Sequence, residues 1–238
     1  SSSIIVERWM GAGFDRPLTR LREYVEVLRE ILAGKKVTYE GETTSVKGFR
    51  LQVDPGSEIP IYMAALGEKA SRLAGEMADG VIFFLKTPHG VSQAMAWVAE
   101  GARAAGRDPH GLDCVIRIPI ALNENEEIFK FMARRLVTTY AAVDVYNNSL
   151  SAQGYKDEAA GIARAWTAGD REQANEYVTD ELLEDLFISG TTEECLGKLQ
   201  SFRDAGVKTP VLSPVSVAGD PVERKVRVKA TLEQLVPS

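Results

Sequence analysis

Residues Ala65-Leu66-Gly67-Glu68 join an apolar run, 61–66, to the first turn of an amphipathic segment that carries Ala70, Leu73, Ala74 and Met77 on one side. A strand that turns through glycine into a helix presents backbone N–H groups at the helix N-terminus, and such groups bind phosphate. Taken alone, Gly67 is equally a turn glycine with no ligand. No other set of residues has the spacing of a chemical site. There is no nucleophile–base pair and no carboxylate dyad. His89 and His110 lack ligand-like spacing, so a dedicated metal site is not expected, and no residue is assigned a catalytic role.

The composition narrows the classes. The chain has 238 residues, 45% hydrophobic and 26% charged, which is the balance of a folded globular protein rather than a disordered one. A net charge of -6 and the lack of a Lys/Arg stripe argue against nucleic acid, and no apolar run has membrane-span length. Cys114 and Cys195 are too few for a disulfide framework, so a reducing cytoplasm is the expected setting.

The turn needs a scaffold of alternating elements. Pro17 opens a helix whose stripe is Leu18, Leu21, Val25, Leu28 and Leu32, and Gly34 closes it. Residues 36–53 read as a β-hairpin insertion turning at Glu40-Gly41-Glu42. Strand-like apolar runs at 61–66, 81–85, 114–122 and 209–215 alternate with helices. This order predicts a parallel sheet with strands buried on both faces. Pro119 predicts a bulge or an end in the third run. Asn123 or Asn125 caps a long helix through about Tyr146, with Ile128, Met132, Leu136 and Tyr140 on its inner face. Residues 147–185 form a helical excursion, with helices near 157–166 and 171–178. Thr191 or Thr192 with the following glutamates caps the next helix.

Four stretches together resemble the luciferase-like flavin and deazaflavin oxidoreductases, most of all the branch that uses coenzyme F420. They are IVERW with FDRPLTRLREYVEVLREILAGKKVTYEGE, PIYMAALGEKASRLAGEMADGVI, EGARAAGRDP and SGTTEECLGKLQSFRDAGVKTPVLSPV. The resemblance implies a (β/α)8 TIM barrel. On it, residues 1–238 are a single partial barrel domain, N-terminally truncated and holding about strands five to eight, with the hairpin insertion and the helical excursion. It also implies hydride transfer between F420, or alternatively FMN, and a small organic substrate, in a homodimer. The cofactor phosphate then falls on Ala65, Leu66, Gly67 and Glu68, and a hydroxyl from Ser1 or Ser2, in the turn 1–3, touches the cofactor. Relatives vary at this turn, and Glu68 adds a negative charge that must face outward for a backbone contact to hold.

Other positions carry weaker expectations. Glu7, Arg8 and Trp9 line the cofactor side or form an ordinary ion pair and packed aromatic. Met10 stands where many relatives have histidine, so it has no proton-transfer role. Phe84 makes the local pocket more apolar, His89 is a solvated loop residue, and Tyr146 and Tyr155 are packing residues unless they meet substrate. The alternative is a non-catalytic or inactive cofactor-binding half-barrel that associates through strand edges near Ile61 and Val211.

Overall fold

A computed structural model describes residues 4–235. The chain divides into two compact units, one of Ser1–Val81 with Ala96–Leu112, the other of Ile82–Met95 with Asp113–Ser238.

In the first unit a π-helical turn, Ile4–Trp9, precedes helix α1, Pro17–Leu32. Pro17 takes the first helical position, where its missing N–H is no loss, and Gly34 follows the C-cap in the left-handed region at φ 75°. The expected stripe on α1 is only partly inside. Val25 is buried, whereas Leu28 is 43% exposed. The hairpin pairs β1, Val37–Glu40, antiparallel with β2, Ser45–Phe49. It is fastened to α1 by Glu23, whose buried carboxylate accepts the Glu42 N–H at 2.6 Å and the Thr43 N–H at 3.0 Å. The Thr43 hydroxyl donates to it as well, and these bonds hold the Glu23 carboxyl below the usual range.

Next come β3, Tyr62–Ala64, helix α2, Glu68–Met77, and β4, Gly80–Phe84, whose last three residues lie in the second unit. β3 is shorter than the run 61–66. It also alternates, with Met63 buried between exposed Tyr62 and Ala64, so burial on both faces does not hold for it. Helix α3, Pro88–Ala104, passes from the second unit back into the first. Within the first unit α2 and the later part of α3 approach at backbone distance. A methyl group on Gly75 would run into the Val98 carbonyl, and one on Gly101 into the Arg72 carbonyl. Three charged residues fix the end of α2. Arg107 donates to the carbonyls of Gly75 at 2.7 Å and Ala78 at 2.6 Å, capping its C-terminus. Asp79 accepts the Ile61 N–H at 2.7 Å and an Arg29 N–H at 2.8 Å. Burial works to raise the Asp79 carboxyl, but these bonds and nearby Arg107 outweigh it and hold it below its ordinary value.

The second unit is built on β5, Asp113–Leu122. It pairs in parallel with β6, Ile188–Gly190, over Ile120–Leu122, and with β7, Thr209–Pro214, over Val115–Ile120. Pro119 neither bulges nor ends β5. The carbonyls of Cys114 and Ile120 both accept bonds from the β7 side, so the even-numbered residues face β7 and the prolyl nitrogen points away from that ladder. The helices of this unit are α4, Glu126–Ala141, α5, Asp144–Ala152, α6, Lys156–Thr167, α7, Arg171–Glu176, and α8, Asp180–Leu186. After β6 come α9, Thr192–Asp204, and, beyond β7, α10, Pro221–Leu235.

Asn125 caps α4, accepting the Ile128 N–H at 3.0 Å, but α4 ends at Ala141 rather than near Tyr146. Asn147 donates its amide to the Ala141 carbonyl at 2.9 Å and the Ala159 carbonyl at 2.7 Å, which satisfies the end of α4 and starts a new helix direction. The inner face of α4 lies one residue along from the expected one. Phe129, Ala133, Val137 and Ala141 are buried, and Ile128 and Met132 are exposed. Thr191 and Glu194 form the capping box on α9.

A polar knot ties the turn after β4 to α5. Leu85 adopts the left-handed region at φ 52°, a strained conformation for a leucine. Gln153 accepts the Thr87 N–H at 2.8 Å and donates to the carbonyls of Leu85 at 3.3 Å and Ser149 at 2.9 Å. Lys86, 3% exposed, donates to the Ser149 hydroxyl at 3.3 Å and sits 5.7 Å from the Phe83 ring centre. Burial pushes its amine down to about 8.

Two stability measurements test this packing. Gly101→Ala should cost about 1–3 kcal/mol in urea unfolding through backbone overpacking, whereas Gly197→Ala, in open space on α9, should gain up to about 1 kcal/mol. Equal effects would contradict the close approach. Lys86→Met should be more stable than the parent at pH 7 by on the order of 2 kcal/mol. The folded-state value of Lys86 lies below the unfolded 10.5, so the cost of charging it is full below about 8 and fades as pH rises to 10.5. The gap should close over that window. A gap constant with pH would remove titration of Lys86 as its cause.

Candidate functional site

The site is built where α2 begins. Gly67 is the N-cap residue, with extended backbone at φ -118° and ψ 176°, and no side chain caps the helix. The Ser71 N–H is bonded to the Gly67 carbonyl at 3.0 Å, so the first-turn N–H groups before it point out of the helix end. A Cβ on Gly67 would meet nothing within 4 Å, so the space in front of the turn is open. Glu68 does not occupy it. Its carboxylate pairs with Arg72 one turn on, at 3.0 Å, and Arg72 pairs also with Glu100. The acidic side chain is thus drawn along the helix, and the N–H groups and the positive end of the helix dipole remain for an anion. Ala65 is buried and Leu66 half-buried behind the turn, and they contribute backbone.

The remaining positions divide clearly. Ser1 and Ser2 lie outside the described residues. Glu7, Arg8 and Met10 are exposed, and His89 and His110 are exposed as well. Tyr155 is a packing residue. It is 9% exposed in the helical core, and its hydroxyl donates to Asp185 at 2.7 Å. Cys114 and Cys195 are free and buried, and burial pushes their thiols up to about 12 and about 11, so neither is a thiolate at neutral pH. Among the described residues no group of His, Cys, Asp and Glu could hold a metal ion, and no helix is long and apolar enough to cross a membrane.

In the second unit Phe84, the last residue of β4, stands edge-on to Tyr140 at 5.1 Å between ring centres, and Tyr140 stands edge-on to Tyr146 at 4.8 Å. All three rings are half-buried. Arg117, exposed in the middle of β5, lies over Phe84 at 5.3 Å. Arg117, Lys86 and Gln153 carried no expectation from the sequence. A lone charge inside an apolar run, as in CVIRIPIAL and VIFFLK, is the signal that marks the first two.

The chain matches the luciferase-like monooxygenase family over residues 1–209. It is 30% identical over 235 residues to the 5,10-methylenetetrahydromethanopterin reductase of Archaeoglobus fulgidus, covering 96% of this chain and 68% of that one. The enzyme of the same name from Methanolobus tindarius is 31% identical over 215 residues, covering 90% and 64%. The structure of the coenzyme F420 dependent tetrahydromethanopterin reductase from Methanopyrus kandleri superposes with a TM-score of 0.73 at 26% identity, covering 93% of this chain and 63% of that one. The chain therefore spans about two thirds of the length of these relatives. An α/β fold with parallel strands, a family match across most of the sequence and these relatives give one conclusion: the chain belongs to the luciferase-like monooxygenase family.

Proposed function

We propose that the complete protein is an F420-dependent oxidoreductase of this family, and that this chain supplies strands five to eight of its barrel as one luciferase-like domain. The observation that carries the reading is the likeness to the coenzyme F420 dependent tetrahydromethanopterin reductase from Methanopyrus kandleri, at a TM-score of 0.73 and 26% identity. The turn at Gly67 fits a phosphorylated cofactor, because it offers uncapped N–H groups, open space and an acidic neighbour already paired. When bound, the deazaflavin ring would supply the hydride chemistry with a small organic substrate. The backbone of Leu66, Gly67 and Glu68 would hold the phosphate, with Ser1 or Ser2 as a second contact. FMN shares a phosphorylated arm and is the alternative cofactor. A homodimer in the cytoplasm completes the reading, and the two free thiols suit a reducing compartment.

Quenching of F420 fluorescence on titration tests this. Gly67→Val should weaken F420 binding at least tenfold, since a branched side chain would stand between the phosphate and the N–H groups. It should cost little stability, because its Cβ meets no atom and its φ suits valine. Glu68→Ala should bind as tightly as the parent or tighter. Unchanged affinity in Gly67→Val would remove the turn as the phosphate site, and failure of the parent chain to bind F420 or FMN would sink the cofactor reading for this chain.

A further inference from the structure

We propose that the turn after β4 and helix α5 form a pH-responsive latch, in which charging of the buried Lys86 amine frees the turn from Gln153 and loosens the helices seated on the strand ends. The inference goes beyond the cofactor assignment and does not depend on it.

Helices α4 to α8 are what the latch holds. Leu85, just after β4, and Ala121, near the end of β5, are buried in one core with Phe129 and Val137 of α4, Leu150 of α5 and Ile162 of α6. The helices thus sit on the carboxyl ends of these strands, where parallel α/β proteins bind their ligands. Gln153, at the end of α5, is the fastening. It takes the Thr87 N–H at 2.8 Å and gives an N–H to the Leu85 carbonyl at 3.3 Å, so it grips the turn on both sides of Lys86. Gly90 leaves it room, because a methyl group there would run into the Gln153 side chain. Leu85 is held at φ 52°. A leucine stays in that region only where its surroundings over-determine it, and the two Gln153 bonds do so here. Once they break, Leu85 relaxes to ordinary backbone, so the closed turn is poised to open.

Lys86 is the trigger. It is 3% exposed, so its surroundings are already filled. They are the Ser149 hydroxyl, 3.3 Å from its nitrogen, and the Phe83 ring, and neither carries charge. On the elements that touch it, β4, the start of α3, and α5, the ionisable side chains are His89, Asp144 and Tyr146. None of them offsets its burial, which alone lowers its amine. Burial and Tyr140 hold the Tyr146 hydroxyl above its ordinary value. An amine in water keeps its proton up to about 10.5, and in the closed turn only up to about 8. Above 10.5 Lys86 is neutral in both states and the closed turn bears no charge penalty. As pH falls towards 8 the charged amine favours the open turn, and below 8 the effect is constant. Phe84 directly precedes the turn and Tyr146 lies on α5, with Tyr140 between their rings, so opening also loosens this aromatic wall.

Amide exchange of the parent chain at pH 7 and pH 9, followed by NMR and corrected for the intrinsic rate, tests this. The reporters are the Thr87 N–H, bonded to Gln153, and the Gly90 N–H, bonded to the Thr87 hydroxyl. Amides of β5 serve as the reference for unfolding of the whole unit. Both reporters should be less protected than β5 at either pH, and their protection should rise about tenfold from pH 7 to pH 9. Lys86→Met should raise protection at pH 7 by at least about tenfold and abolish the pH response. Gln153→Leu should lower protection at both pH values. His89→Gln and Tyr146→Phe should keep the response of the parent. Protection of the reporters equal to that of β5, a flat response in the parent, or a response that survives in Lys86→Met would overturn the proposal.

Discussion

The first unit depends on the close approach of α2 and α3. Gly75 and Gly101 each lie against a backbone carbonyl of the opposite helix, and no larger residue fits without moving one of the two helices. That contact sets the line of α2. Arg107 on its last carbonyls and Asp79 on the Ile61 N–H then fix where α2 ends relative to the start of β3. With one end and one side held, the other end of α2 is aimed. The N-terminus at Gly67 is the consequence, and it is left without a side-chain cap although a capping residue is worth about 1 kcal/mol. Other helices carry a side-chain cap, as from Asn125, Asp170, Thr179 and Thr191, whereas α1, α5 and α6, like α2, have none. At the turn from β3 to α2 the missing cap coincides with open space at Gly67.

Charge is handled in the same way around the turn. Glu68 would oppose an anion if its carboxylate faced the helix end, and the pairing with Arg72 takes it away. A surface pair of this kind adds little to stability. Its effect is on direction, since it keeps the positive end of the helix dipole from being neutralised from within.

Much of this was legible in the sequence, though for reasons different from those that first mark it. SRLAGEMADG and EGARAAGRDP signal the family, and the structure shows why they need those residues: Gly75, Asp79, Gly101 and Arg107 are the packing and clamping groups of one helix pair. Helix starts were readable wherever a cap is local, as at Pro17, Asn125 and Thr191. Faces were not. On α4, apolar residues at both 128–132–136 and 129–133–137 satisfy the helical period, and only the helices packed against it choose between them. Pro119 misled because its cost depends on which neighbour its nitrogen faces, a property of register rather than of sequence. β6 is three residues long and is a strand only because β5 extends past β7 to meet it. The knot of Lys86, Ser149 and Gln153 joins positions more than sixty apart, and no local pattern announces it.

Backbone amide protection reads the central claim without any substitution. Amide exchange of the first turn of α2, followed by NMR with and without F420, reports whether the N–H groups at the helix end become bonded. Slower exchange confined to the amides of residues 66–70 on adding F420, reproduced more weakly or not at all with riboflavin, which lacks the phosphate, is the expected result. F420 binding that leaves those amides unchanged would contradict the assignment of the Gly67 turn as the phosphate site.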